Sequence, residues 1–139
     1  MTKQYATFWL GNGLYGIEVE RVREVLRQQA ITSVPLAPPT VAGLINLRGQ
    51  VVTTVDLRER LQLRTRNGES QPMLVVVLVA GESIALLVDR IGGVVDVSDD
   101  QFEPPPDTLT GTVRELVVGA YKLEGQLLLG LDVDTAVAA

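Results

Sequence analysis

Gly11-Asn12-Gly13-Leu14-Tyr15-Gly16 is the segment of this 139-residue chain with the sharpest chemical spacing. A Gly-x-Gly-x-x-Gly run between a strand and a long helix lets backbone approach a dinucleotide pyrophosphate. That chemistry also needs an acidic residue at the end of a second strand, roughly 20 positions on. Here that region holds Val34-Pro35 and no acid, so hairpin glycines account for the run better. Asp132-x-Asp134 and Asp99-Asp100 have neither the ligand density nor the glycine of a calcium loop, and read as surface carboxylates or a helix cap. Gly81-Glu82-Ser83 lacks the second glycine of a nucleophile elbow. The chain has no His and no Cys, which removes the commonest general base, the commonest zinc ligand and any thiolate nucleophile. The expectation is a protein that is not an enzyme and has no catalytic, cofactor or metal site.

Arginine is the remaining chemical resource. Arg21, Arg23 and Arg27, with Arg58, Arg60, Arg64 and Arg66, could form a basic face for nucleic acid. Residues 1–66 hold 9 basic and 5 acidic side chains, net +4, against 3 and 12, net −9, in 67–139; these sum to the chain's −5. Yet Glu18, Glu20, Glu24 and Glu59 lie among the arginines, and aromatics are only 4% of residues, too few for a base-stacking platform. Interleaved signs suit intramolecular pairing or a charged rim around a protein interface. No nucleic-acid partner is expected; a small β-barrel nucleic-acid binder is the rival reading.

The elements that must position these residues come from an internal echo. At an offset of 76, residues 43–57 align with 119–133, both reading Gly-x-x-x-Leu-x-Gly-Gln-aliphatic-aliphatic-x-x-aliphatic-Asp-aliphatic. At an offset of 69, Val19-Glu20-Arg21-Val22-Arg23-Glu24-Val25 matches Val88-Asp89-Arg90-Ile91-Gly92-Gly93-Val94. One small β unit built twice explains both. Tyr5–Leu10 and Tyr15–Val19 read as a hairpin around Gly11-Asn12-Gly13. Glu20–Leu26 places Val22, Val25 and Leu26 at helical spacing. Ile31–Val34 is extended as far as Pro35, and Leu44–Leu47 with Gln50–Val55 forms a second hairpin. Asp56–Leu61 is a helical turn with Asp56 as N-cap. Arg64–Gln71 is the polar connection between two lobes, 1–66 and 67–139, with strand exchange between them possible. Met73–Ala80 has no polar face and is expected to be buried on both sides. Ile84–Val88, Glu115–Leu123 and Gln126–Leu131 complete a mainly all-β single domain of two small barrels sharing a core.

Arg48-Gly49 occupies the tip that Glu124-Gly125 occupies in the echo, so this hairpin accepts either charge. An arginine the fold does not require, displayed on a turn, is a recognition candidate.

Tyr15-Gly16-Ile17, Val22-x-Glu24-Val25, Gly43-x-x-Asn46-Leu47-Arg48-Gly49 and Val55-Asp56-Leu57-Arg58 together resemble the CheW-type chemotaxis coupling proteins over nearly the whole chain. The resemblance implies two SH3-like five-stranded β-barrel lobes around a shared hydrophobic core, with few short helices. It implies a cytoplasmic, non-catalytic adaptor at the receptor array, joining the regulatory domain of a CheA-type histidine kinase to the tips of methyl-accepting chemoreceptors. The same role in a type IV pilus or other regulatory pathway is the alternative. Carried over by position, Val22, Glu24 and Val25 face the kinase, and Asn46, Arg48 and Gly49 face the receptor. Glu103, Pro104 and Thr108 lie near a second contact. Thr53 departs from the family's usual proline, and a strand accepts Thr there. No leader precedes the first strand, and the longest apolar run is far too short to span a bilayer, so no direct membrane insertion is expected.

Overall fold

The computed structural model describes residues 2–27, 29–63, 72–109 and 111–137. The strands in chain order are β1 (Thr2–Leu10), β2 (Gly13–Glu18), β3 (Val22–Leu26), β4 (Val41–Leu47), β5 (Gln50–Asp56), β6 (Met73–Val79), β7 (Glu82–Val88), β8 (Arg90–Ser98), β9 (Phe102–Glu103), β10 (Val117–Leu123) and β11 (Gln126–Leu131). Three short helices accompany them: α1 (Leu57–Arg60), α2 (Gly111–Leu116) and α3 (Val133–Val137). One sheet runs β8-β1-β2-β11-β10-β9 and the other β3-β6-β7-β5-β4. Both sheets draw strands from either side of residue 66. Without the two-residue β9, the two strand orders are the same order under the echo, each with one parallel join, β11·β2 and β5·β7.

Hydrophobic alternation explains where the cores lie. Along β6, Val75 and Val77 enter a large core that also takes Phe8, Ile17, Leu57, Leu116 and Val133, and so draws on both sheets. Leu74 and Val76, on the other face of β6, fill a second cluster with Ile45, Val52 and Leu87. A third cluster, around Tyr5, Val97, Tyr121 and Leu128, fills the first sheet. The unbroken apolar run is therefore buried on both faces over Leu74–Val77, while Leu78 emerges. Two curled sheets with their own cores, joined by a shared one, form the expected mainly β architecture.

Two glycines at the echo offset do the same steric work. Gly43 has φ +149°, and a Cβ there would lie 2.3 Å from the Thr32 carbonyl oxygen. A Cβ on Gly119 would lie 2.2 Å from Cε1 of Phe102. Each glycine sits at a strand irregularity, in β4 and β10, and lets an extra segment cross the edge of its sheet.

Several expectations are corrected. Val22–Leu26 is a strand paired with β6, preceded by a 3-10 turn over Val19–Arg21. Its i, i+4 apolar spacing also suits a short strand, and β-branched Val22 and Val25 favour the latter once β6 supplies a partner. The segment before Val117 is helix α2 rather than strand. Arg90–Ser98, unassigned from sequence because Gly92-Gly93 breaks its pattern, is the edge strand β8. Among the described residues Ile31–Val34 makes a single bridge, Thr32 to Leu44. Asp56 does cap α1, its carboxylate accepting from the amides of Arg58 (3.0 Å) and Glu59 (3.4 Å); such a cap contributes roughly 1 kcal/mol. The Arg64–Gln71 connection lies outside the described residues.

Candidate functional site

The β4–β5 turn presents Arg48 at φ 51° followed by Gly49 at φ 86°. Two successive left-handed residues make the hairpin turn that matches strand twist, and glycine or asparagine normally fills the first place. A left-handed arginine costs on the order of 1 kcal/mol. Asn46 supports the turn, its side-chain oxygen accepting from the Gly49 amide at 2.9 Å. Among the described residues Glu124, the counterpart in the echo, is not left-handed. The two tips therefore differ in backbone as well as charge.

The Arg48 guanidinium reaches Glu24 of β3, with Nη1 donating to Oε1 at 3.1 Å and Nη2 donating to Oε2. The Arg48 side chain is 69% exposed and that of Glu24 26%, so the pair lies at the surface. The hydrogen bond from Arg48, with a smaller contribution from Arg23, holds the Glu24 carboxyl below its ordinary range. Glu24 and Arg48, placed on different partner faces by the resemblance, thus touch. Of the other residues in those sets, Val22 is half-buried against the shared core. Val25 is 44% exposed and is the apolar side chain β3 offers to solvent. Beside the turn runs an open groove of about 680 Å³ lined by Val51, Thr53, Val55 and Ile84, with Arg23 on its wall.

Glu103, Pro104 and Thr108 belong to the other sheet and the loop after β9. Glu103 pairs with Lys122 at 2.9 Å, while Pro104 and Thr108 are exposed. The structure does not bring them to the Glu24–Arg48 surface.

The remaining motifs are structural. Gly11, Gly13 and Gly16 belong to the β1–β2 hairpin, and the Gly11 amide donates to Asp89 Oδ2 at 2.7 Å. Asp89, between β7 and β8, also receives Nε of Arg58 at 2.9 and 3.1 Å on its two oxygens, and Nη2 besides. Both side chains are largely buried, 15% and 10% exposed, and the pair ties α1 to the point where the chain passes between sheets. Asp132 accepts from the amide and hydroxyl of Thr135, capping α3. Asp134 receives Arg21 Nη2 at 2.6 Å, and that arginine also donates to the Leu78 carbonyl. Arg60 donates to the carbonyls of Thr135 and Ala136. Arg21, Arg58 and Arg60 of the supposed basic face are thus used internally, and Arg64 and Arg66 lie outside the described residues.

Sequence reasoning missed the two arginine–aspartate ties. The echo carried the signal: Arg58 aligns with Asp134, and Asp89-Arg90 aligns with Glu20-Arg21. Opposite charges at equivalent helices, with charged residues at equivalent crossings, mark both contacts.

These features define a small two-barrel β scaffold whose exposed chemistry lies on strand edges and turns. A CheW-like domain model matches residues 4–139. The chemotaxis protein CheW of Treponema pallidum is 32% identical over 134 residues, covering 94% of this chain and 79% of that protein. The CheW of Rhizobium meliloti is 29% identical, covering 96% and 86%. The crystal structure of the scaffolding protein TtCheW from Thermoanaerobacter tengcongensis superposes with a TM-score of 0.88 at 28% identity, covering all of this chain and 94% of that one. The chain belongs to the CheW-like family of chemotaxis scaffold proteins, and its paired sheets are the SH3-like lobes of that fold.

Proposed function

We propose that this protein is a non-catalytic cytoplasmic adaptor that couples methyl-accepting chemoreceptors to a CheA-type histidine kinase at the receptor array. The observation that carries the reading is the surface formed where Glu24 and Arg48 meet. It joins the exposed Val25 edge of β3 to the β4–β5 turn and the groove beside it. Val25 and Glu24 form the kinase-facing side, with Val22 supporting them from beneath. Arg48, on the turn held by Asn46 and Gly49, faces the receptor, and the groove, where Val51, Val55 and Ile84 alternate with polar Gln50, Thr53 and Glu82, offers a seat for one side of a receptor helix. Glu103, Pro104 and Thr108 make the second contact from the other barrel.

Calorimetric titration with the regulatory domain of a CheA-type kinase tests this, with Val25→Asp as the control. Micromolar or tighter binding that Val25→Asp abolishes supports the reading. Absence of binding by folded protein would overturn it.

A further inference from the structure

Arg23 and Arg27 differ from the other described cations. Each other described lysine or arginine side chain ends on a carboxylate, a backbone carbonyl or, for Arg90, the ring of Trp9 at 5.1 Å. Among the described residues, the guanidinium groups of Arg23 and Arg27 make no hydrogen bond or ion pair. Both residues are exposed, and exposed Val25 stands midway between them. The carboxylate nearest in sequence, Glu24, is taken by Arg48. β3 is an edge strand of its sheet, so this stripe can be reached by a partner.

The arrangement has electrostatic consequences. At about 3.3 Å per residue the backbone positions of the two arginines stand at most about 13 Å apart along the chain, one on each side of Val25. Covering Val25 removes water from between them and strengthens any pairing at its ends. The protein as a whole is acidic, net −5, so its mean field disfavours an acidic partner. An acidic segment docking here must be oriented by the local cations.

We infer that Arg23 and Arg27 form a cationic clamp that selects a docking segment with carboxylates on either side of an apolar residue, Val25 being the contact between them. The inference rests on the kinase-facing reading of β3 and adds a specificity that the Glu24 and Val25 assignment lacks.

The test titrates the kinase regulatory domain against wild type and Arg23→Gln/Arg27→Gln at about 50 mM and about 500 mM salt, where screening differs severalfold. The double variant is expected to fold as wild type and to bind on the order of 10-fold more weakly at low salt. At high salt the gap closes; Arg23→Lys/Arg27→Lys keeps most of the salt dependence. Equal affinity of wild type and the Gln variant at both salts would overturn the clamp and leave the kinase reading standing. No binding by wild type at either salt would overturn both. Micromolar binding of an RNA duplex, lost in the Gln variant, would assign these arginines to nucleic acid instead.

Discussion

Glu24 on β3 and Arg48 on the β4–β5 turn close the second barrel across strands that are not neighbours in its sheet. The pair joins the edge that carries Val25 to the turn that carries Arg48. One two-pronged contact links the two places.

That contact makes the surface pH-dependent. Arg48 holds the Glu24 carboxyl below its ordinary value of 4.5. A carboxylate depressed in the folded state contributes stability above its unfolded pKa and loses it as pH falls through the folded pKa. The stability difference between wild type and Glu24→Gln should therefore shrink on acidification below about pH 4. Carboxyl NMR titration should give a depressed Glu24 midpoint that returns to the ordinary range in Arg48→Gln. A midpoint indifferent to Arg48→Gln would show that the pair does not form in solution.

Arg58 and Asp89 are mostly shielded from water, so truncating one leaves a charge without its counterion. Arg58→Ala should destabilise the fold by roughly 3–5 kcal/mol, tempered by the Gly11 amide that Asp89 keeps. Replacing both by apolar residues should recover much of that loss, because neither charge is then stranded. Urea unfolding of the two singles and the double gives the coupling; a near-zero coupling energy would contradict the geometry.

Val22 and Val25 separate folding from docking. Val22→Asp places a carboxylate against the shared core and should cost more than about 2 kcal/mol of stability. Val25→Asp should change stability by less than about 1 kcal/mol while abolishing kinase binding. Thermal unfolding beside the titration distinguishes them, and equal destabilisation would contradict the burial difference.

Thr54 is fully buried, and among the described residues its hydroxyl has no hydrogen-bond partner. Thr54→Val removes that unmet demand with little change of shape and should stabilise the protein by about 1–2 kcal/mol. Loss of stability would reveal a partner for the hydroxyl in solution.

What could be read from sequence follows what short-range patterns encode. The β1–β2 and β4–β5 hairpins, the Asp56 cap and the buried run at Met73 were legible because turn residues and alternation fix them locally. β3 was not, since five residues with apolar positions four apart satisfy both helix and strand until β6 is present. β8 was hidden by Gly92-Gly93, whose place in a strand depends on β1 across from it. At the site, Arg48 stood out through the mismatch with Glu124, but its contact with Glu24 joins residues 24 positions apart and needed the closed barrel. The split between Val22 and Val25 likewise depends on how β3, irregular between Val22 and Glu24, lies along β6.

The inverted charges of the two helix ties bear on how this fold avoids a wrong assembly. Its halves are near-equivalent, and each barrel takes in strands from the other half, so α1 and α3 face similar seats. A helix bearing arginine enters one seat and a helix bearing aspartate the other. Trading seats, within one chain or between two chains exchanging halves, would part Arg58 from Asp89 and Asp134 from Arg21. Losing both ties at once acts as a polarity key, telling a duplicated chain which of its halves is which.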